Sequence, residues 1–474
     1  MKDVGGFPDF EIEFNKDAQL VDAGQEAELL TFLDEKKGAT DLFVFSHGWN
    51  NDMDEARDLN QNFFGRVRAV LDGGGVQGLG GRKFAVATVL WPSKKFADRD
   101  LIAGGAASVG GAPGAAEVLY VQGQLEALKG AQQSEDAKKA LEQAKQLVPA
   151  LEGSPDRQKL FADLLRSVVR SQAGQKKNGQ EAAKQKEDGA DVFLSLPGNE
   201  LLDRLKLPML PGTGAPPPGG EAGGAAGIGS FLGSVGRGIG GAVVGVGGAV
   251  INFADTFVNR TVAAASNLAN LTTYYQMKER AGLVGATGLG PLLGRIRGRT
   301  PAVKLHLLGH SFGGRLVTAA ADADPPAKPN TMTLLQAAFS HNGFASQFDE
   351  KKNDGFFRKV VTDNKVAGPI LISCSNKDWA VGLAYPLASR IAGQQASAVG
   401  GGPGDPYGGI GRNGALHTPE AVAGSLEAVG DPNKRYNFAA GHLYNLRADA
   451  IITGHSDICK DEVAYALLRA VATT

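Results

Sequence analysis

A series of short apolar runs, separated by stretches with helical patterns, most constrains the fold of this chain. The runs lie at residues 41–50, 83–92, 302–309, 331–339 and 368–375. A continuous apolar run is typical of a strand buried on both faces of a sheet. Helical patterns follow two of the runs, at 55–71 and 313–323. Strands that alternate with helices indicate an α/β fold with a doubly wound, mostly parallel sheet.

Weaker patterns extend this core toward both ends of the chain. Residues 10–14 alternate apolar and charged side chains, which predicts a half-buried edge strand. Residues 23–37 and 457–471 have the spacing of amphipathic helices, and 436–446 is a weaker strand candidate. The first and last parts of the chain therefore belong to one sheet.

The pattern breaks between Pro92 and Thr300, a gap of about 200 residues, which is far longer than a structureless loop of a compact domain. We expect a large insertion that is mainly helical and rich in glycine. The mixed charges and scattered leucines of residues 124–185 predict a solvated helical hairpin. Residues 207–220 are rich in proline and are predicted to form a linker, and residues 272–299 are predicted to supply the crossover helix that re-enters the core. The predicted domains are the first part of the core at 1–100, an inserted cap or lid at 101–270 and the second part of the core at 271–474.

Residues 227–253 are apolar, rich in glycine and nearly uncharged, with Arg237 as the exception. Three interpretations stay open: a buried cap or lid helix, an interfacial segment that touches a membrane surface, and a spanning helix. The uncharged stretch is shorter than the roughly 20 residues of a spanning helix, and its glycines lower its hydrophobicity. An insertion at this place in the chain is expected to roof an active site at the carboxyl ends of the strands.

Composition limits the function classes. The chain carries 49 basic and 50 acidic residues and only 7% aromatic residues, which argues against a nucleic-acid partner. Because the chain has only two cysteines, we do not expect disulfide bonds to be the basis of the fold. The sequence starts without a signal-peptide pattern, so a cytoplasmic location is the default, with export by a signal-independent route or membrane association as alternatives. No motif indicates a metal or a cofactor, and we expect neither.

The segment Gly309-His-Ser-Phe-Gly313 lies between a predicted strand and a predicted helix. A sharp turn there holds the serine in a strained conformation, and side chains at the two glycine positions would collide with the turn. The turn lifts the Ser311 hydroxyl above the sheet at a helix N-terminus, which favours developing negative charge. In this context the pattern predicts a nucleophile.

This segment resembles the nucleophile elbow of the α/β-hydrolase superfamily of lipases and esterases. The resemblance covers residues 1–100 and 290–474 and implies an α/β-hydrolase fold with the order serine, acid, histidine. His455, in a loop just before the last predicted helix, stands where this superfamily places its base. His442, His417 and His341 also follow the serine and stay as alternatives, whereas His310 is interpreted as a supporting neighbour of the nucleophile.

Asp378 is the predicted acid, because it comes just after the apolar run that ends at Ser375, where catalytic groups of open α/β sheets gather. Its role is to accept the ring N–H of the base and to stabilise the imidazolium. The alternatives lie in less regular segments: Asp349, Asp354, Asp405 and Asp431.

The resemblance also implies an oxyanion hole of two backbone amides. One donor is expected at Phe312, the residue after the nucleophile. The other is expected at Trp49, because His47-Gly48 ends a buried strand and resembles the superfamily's His-Gly-x segment.

These residues predict a serine hydrolase that cleaves carboxylic esters through an acyl-serine intermediate, with a lipid or other small acyl ester as substrate. A phospholipase, thioesterase, acyltransferase or amidase with the same triad is the alternative. A protein of another class is a further alternative: a membrane-associating interaction protein, with contact through 227–253 and a residual hydrolase fold. The sequence does not indicate the oligomeric state.

Overall fold

A computed structural model describes residues 1–34, 38–48, 53–93, 115–130, 132, 134–173, 190–206, 260–378, 403–404, 407–429 and 436–474. The chain divides into two compact units. The sheet unit consists of residues 1–93, 280–381 and 408–474, and the helical unit of residues 94–279 and 382–407. The predicted linker at 207–220 and the glycine-rich segment at 227–253 lie outside the described residues.

The described part of the sheet unit contains one nine-stranded sheet. Its strands are β1 Lys2–Val4, β2 Phe7–Glu13, β3 Asp41–Ser46, β4 Phe84–Leu90, β5 Lys304–His310, β6 Thr331–Leu335, β7 Ile370–Cys374, β8 Ala421–Ser425 and β9 Leu443–Arg447. They are arranged in the order β1-β2-β4-β3-β5-β6-β7-β9-β8. The pairing of β1 with β2 is antiparallel and the other pairings are parallel. The prediction of an α/β fold with a mostly parallel sheet is confirmed.

The strand order places the candidate functional residues. Strands β3, β5, β6, β7 and β9 are consecutive neighbours that run in one direction. The segments after their carboxyl ends therefore meet at one edge of the sheet, where open α/β sheets bind ligands. Gly48, Ser311, Asp378 and His455 all come from these segments.

The helices of the sheet unit lie mostly between consecutive strands. They are α1 Ala23–Asp34, α2 Met53–Asp72, α9 Gly290–Arg299, α10 Phe312–Ala321, α11 Arg358–Thr362, α12 Ile410–Asn413 and α13 Asp461–Val471. A π-helical segment, Val284–Leu289, precedes α9. Helices α2 and α13 pack against each other, and the core beneath them holds Phe7, Phe43 and Phe64, whose rings meet edge-on or tilted. Each such ring pair adds about 1 kcal/mol beyond its buried area.

The predicted half-buried edge strand at residues 10–14 agrees with the described sheet in part. The three-residue β1 pairs only with residues 7–9 of β2, so the outer side of residues 10–13 has no strand partner among the described residues. Strand β8 forms the opposite edge, and the apolar patterns do not predict it because four of its five residues are exposed. The sequence patterns miss β1 and β8 because very short or exposed strands carry little hydrophobic signal.

The helical unit contains α3 Ala115–Gly130, α4 Glu135–Leu147, α5 Pro155–Ala173, α6 Ala190–Ser195, α7 Gly198–Leu205 and most of α8 Arg260–Leu283. The predicted hairpin at 124–185 is wrong in its element count, since three helices, α3 to α5, occupy the described part of that range. Ser134 caps α4 by accepting a hydrogen bond from the Ala137 amide, and a proline begins α5, so each helix has its own start signal. No helix in the described ranges is long and apolar enough to cross a membrane.

Asp9 on β2 provides a stability test of the sheet. Its carboxylate is 5% exposed and accepts a 2.7 Å hydrogen bond from the Thr88 hydroxyl. Burial raises the pKa of Asp9 to about 6. The folded protein therefore holds this proton more tightly than the unfolded chain, and stability falls as pH rises from about 4 to above 6. The difference of about two units between the pKa of Asp9 in the folded protein and its ordinary value corresponds to at most about 3 kcal/mol of the free energy of unfolding.

We expect Asp9→Asn to raise the free energy of unfolding by about 2 kcal/mol at pH 8 and to change it little at pH 4, as measured by urea unfolding. Glu11 on the same strand is the matched control. Burial opposes its charge, but hydrogen bonds from Arg57 and Lys2 prevail and lower the pKa of Glu11. Glu11→Gln should therefore destabilise the protein at pH 8. Equal stability of Asp9→Asn and wild type at pH 8 would contradict the burial argument.

Candidate active site

Ser311 occupies a strained bend between β5 and α10. Its backbone has φ 56° and ψ −125°, a conformation that non-glycine residues rarely adopt. A Cβ atom at Gly309 would lie 2.4 Å from the Gly313 carbonyl oxygen, and one at Gly313 would lie 2.1 Å from the Ser46 carbonyl oxygen. Both distances are too short for any side chain, so this bend requires glycine at both positions.

Backbone hydrogen bonds hold the bend against the neighbouring strand. The Ser311 amide donates to the Leu335 carbonyl at 3.1 Å, and the Ser311 carbonyl accepts from the Ala338 amide at 2.9 Å. The Ser311 side chain lies at the start of α10, and the residue is 5% exposed. The end of β6 and the segment after it thereby fix the backbone of Ser311.

Gly48 brings the loop after β3 to the same place. A Cβ atom on Gly48 would lie 2.6 Å from Ser311 Cβ and 3.2 Å from Ser311 Oγ. Only glycine permits this approach. The amide of Phe312 belongs to the first residue of α10, also beside Ser311. Trp49, the other predicted oxyanion donor, lies outside the described residues.

His455 and Asp378 form a buried pair. His455 Nδ1 lies 3.0 Å from Asp378 Oδ1 and 2.9 Å from Oδ2, and the carboxylate is fully buried. The Asp378 amide donates to the Ser375 carbonyl, and the Ser375 hydroxyl donates to the Ile452 carbonyl at 2.8 Å. Ser375 thus connects the loop that carries Asp378 to the loop that carries His455.

His310, the last residue of β5, contacts His455. Its Nε2 lies 3.0 Å from the His455 carbonyl oxygen, and the two rings have centroids 4.9 Å apart. The carbonyl can only accept, so we assign the proton to Nε2 of His310. Burial lowers the pKa of His310 to about 3, so the ring is neutral at physiological pH. Because His310 directly precedes Ser311, this contact places the His455 loop beside Ser311.

His47 is a second neutral imidazole at the site. Its Nδ1 lies 2.9 Å from the Gly48 carbonyl oxygen, and the Trp91 amide donates to its Nε2 at 3.4 Å. Burial lowers the pKa of His47 to about 4. The ring is therefore a support for the loop around Gly48, and its low basicity makes it unsuited to remove a proton from Ser311.

The remaining histidines lie in other surroundings. His306 Nε2 binds Asp41 at 2.9 Å, toward the amino ends of β3 and β5 and away from Ser311. His341 contacts Asn413 and His417 contacts Asn342, while His442 lies beside the Tyr444 ring and interacts with the Glu420 carboxylate. Of the alternative acids, Asp349 accepts from Asn353 and Asp354 from the Gln347 amide, while Asp405 and Asp431 lie outside the described residues.

Sequence reasoning missed Gln336, which directly follows β6. Its Nε2 donates to Asp378 Oδ2 at 3.2 Å and to the Gly411 carbonyl at 2.9 Å. Arg412, beside Gly411, donates to the Asp378 carbonyl at 3.4 Å. The sequence did contain a signal for Gln336, because it is a polar residue within the apolar run at 331–339 and functional groups gather at the carboxyl ends of parallel strands.

The described ranges contain no group of three or more His, Cys, Asp or Glu side chains arranged to hold a metal ion. Cys374 and Cys459 are both free thiols. Comparisons of the chain with protein-family models, curated proteins and solved structures found no significant match.

Proposed function

We propose that this protein is a serine hydrolase of the α/β-hydrolase type that cleaves carboxylic esters. One observation carries the proposal: the histidine paired with a buried carboxylate, His455, is held through its own carbonyl by the residue that precedes Ser311. A strained, glycine-flanked serine, an imidazole and a buried carboxylate at one sheet edge are the parts that acyl transfer requires.

In the proposed reaction, His455 Nε2 takes the Ser311 hydroxyl proton as Oγ attacks the ester carbonyl carbon. Asp378 accepts the Nδ1–H of the resulting imidazolium and stabilises its charge. The amides of Phe312 and Trp49 are the proposed donors to the oxyanion. The tetrahedral intermediate then collapses, the C–O bond to the alcohol breaks, and His455 returns the proton to the leaving oxygen.

The acyl-serine is released by water in the same way. His455 removes a proton from water, the resulting hydroxide attacks the acyl carbon, and Ser311 leaves with the proton from His455. Neutral His47 and His310 support this assignment, because neither adds a positive charge that would oppose imidazolium formation on His455.

Lipid or other small acyl esters are the favoured substrates, and thioesters, phospholipids and amides are the alternatives. The same triad serves all of these acyl transfers, so the substrate must be determined by assay. A series of p-nitrophenyl esters from short to long acyl chains separates an esterase from a lipase. Preference for long chains is expected for a lipase.

Labelling with a fluorophosphonate probe tests the proposed nucleophile. We expect the wild type to be labelled and Ser311→Ala to be unlabelled, because the probe phosphonylates an activated serine oxygen. Ser425→Ala, on the exposed edge strand β8, is the matched control and should be labelled like the wild type. Labelling that survives in Ser311→Ala rejects this nucleophile, and absence of labelling in the wild type rejects the hydrolase proposal.

A further inference from the structure

Gln336 sits at the centre of the hydrogen bonds around the acid. It is fully buried, and its backbone has φ 45°, in the left-handed region. Non-glycine residues that are neither Asn nor Asp are uncommon there, and such strain persists only where the surroundings enforce it. The conformation turns the chain immediately after β6, beside the end of β7.

Every polar atom of the Gln336 side chain has a partner. Its Oε1 accepts from the Ser373 hydroxyl at 2.8 Å, which leaves Nε2 as the group that faces Asp378 Oδ2 and the Gly411 carbonyl. The Ser373 hydroxyl also accepts a hydrogen bond from the backbone N–H of Gln336 at 3.2 Å. Because Ser373 donates to Oε1, the side-chain amide of Gln336 must point its NH₂ group, a donor, at the Asp378 carboxylate.

The same carboxylate oxygen contacts both Gln336 and the base. Asp378 Oδ2 lies 3.2 Å from Gln336 Nε2 and 2.9 Å from His455 Nδ1. A neutral N–H directed at a carboxylate stabilises its charge and restricts its rotation.

We infer that Gln336 is a positioning residue, which holds the Asp378 carboxylate in hydrogen-bonding contact with Nδ1 of His455. The inference rests on the proposed function for its kinetic consequences, although the contact between Asp378 and His455 can be followed without turnover. Gln336 acts through Asp378 and does not contact the nucleophile in the described contacts.

Gln336→Met tests the inference, since methionine matches the length of glutamine and has no donor. We expect the rate constant for fluorophosphonate labelling to fall about 10- to 100-fold, because the carboxylate is free to rotate away from the His455 ring. The proton NMR signal of the His455 Nδ1–H, which a hydrogen bond to a carboxylate holds at low field, should weaken or move to higher field.

Gln336→Asn is the second variant, in case the first does not fold. Asparagine adopts positive φ more readily, and its amide is one methylene too short to reach Asp378. It should change the labelling rate constant and the Nδ1–H signal of His455 in the same direction. Gln347→Met is the matched control, because Gln347 also has positive φ, at 50°, but is exposed and binds no triad residue in the described contacts.

The outcomes separate this inference from the proposed function. A fall in melting temperature with an unchanged Nδ1–H signal of His455 means that Gln336 is only structural, and the inference fails. If the wild type is not labelled but the variants change the Nδ1–H signal of His455, the hydrolase proposal fails and the positioning role stands. If the wild type is labelled and both variants behave like Gln347→Met, the inference fails and the hydrolase proposal stands.

Discussion

Asp378→Asn is expected to lower the rate constant for ester hydrolysis by about 10⁴ while the protein stays folded. The reason lies in two partners of the side chain among the described contacts, Gln336 and His455. Gln336 Nε2 is a donor 3.2 Å from the Oδ2 position, so the oxygen of an asparagine amide would turn toward it. The asparagine NH₂ group would then occupy the Oδ1 position, 3.0 Å from His455 Nδ1.

Two donors cannot share a hydrogen bond, so His455 Nδ1 would have to be the unprotonated nitrogen. The ring proton would then sit on Nε2, and that nitrogen could not accept the proton of Ser311. The variant should therefore keep its fold and lose its base. Steady-state hydrolysis of a p-nitrophenyl ester and circular dichroism measure the two properties.

Asp457→Asn is the matched control in the His455 loop, because Asp457 binds Thr453 and Lys460 on the exposed side of the loop. Its rate constant should stay within about twofold of the wild type. If Asp378→Asn hydrolyses the ester at the wild-type rate, the carboxylate has no part in the reaction.

Gly313→Ala is expected to reduce the free energy of unfolding by about 3 kcal/mol or more. The added methyl group would lie 2.1 Å from the Ser46 carbonyl oxygen and 2.5 Å from that of His47. Both atoms belong to the backbone at the end of β3, so no flexible side chain can move to relieve the contact. Either α10 or the loop that carries Gly48 must shift.

Urea unfolding of Gly313→Ala and Gly294→Ala measures this effect against a matched control. Gly294 lies in helix α9, and a Cβ atom there would meet nothing within 4 Å. That variant should be neutral or more stable by about 0.5–1 kcal/mol, because alanine is the better helix former. Similar stability of the two variants would show that the elbow tolerates a side chain at position 313.

The buried strands were predictable because each is a continuous apolar run, and the mostly parallel sheet followed from their alternation with helices. Their ends were less predictable: the run at 331–339 forms a strand only as far as Leu335. The chain turns at Gln336 because that residue adopts positive φ, which hydrophobicity does not encode. Strand β8 escaped prediction because most of it faces solvent.

The residues of the candidate site also differ in how far the sequence alone predicts them. The glycine-flanked bend at Ser311 is a local pattern, since its two glycines and its serine lie within five residues of sequence. Asp378 and His455 were chosen from chain order within a family pattern, and their 2.9 Å contact depends on the packing of two loops. The contact between Gln336 and Asp378 depends on the register of β6 against β7, which no short sequence pattern records.

The order of the strands has a consequence for how the protein acquires activity during synthesis. The groups around Ser311 come from widely separated parts of the chain, with Gly48 emerging early from the ribosome and His455 late. Under the proposed function, a growing chain that has folded its first strands but has not yet made His455 lacks its base, and Ser311 without that base is a poor nucleophile. The proposed reactivity would therefore begin only when the loop that carries His455 has docked.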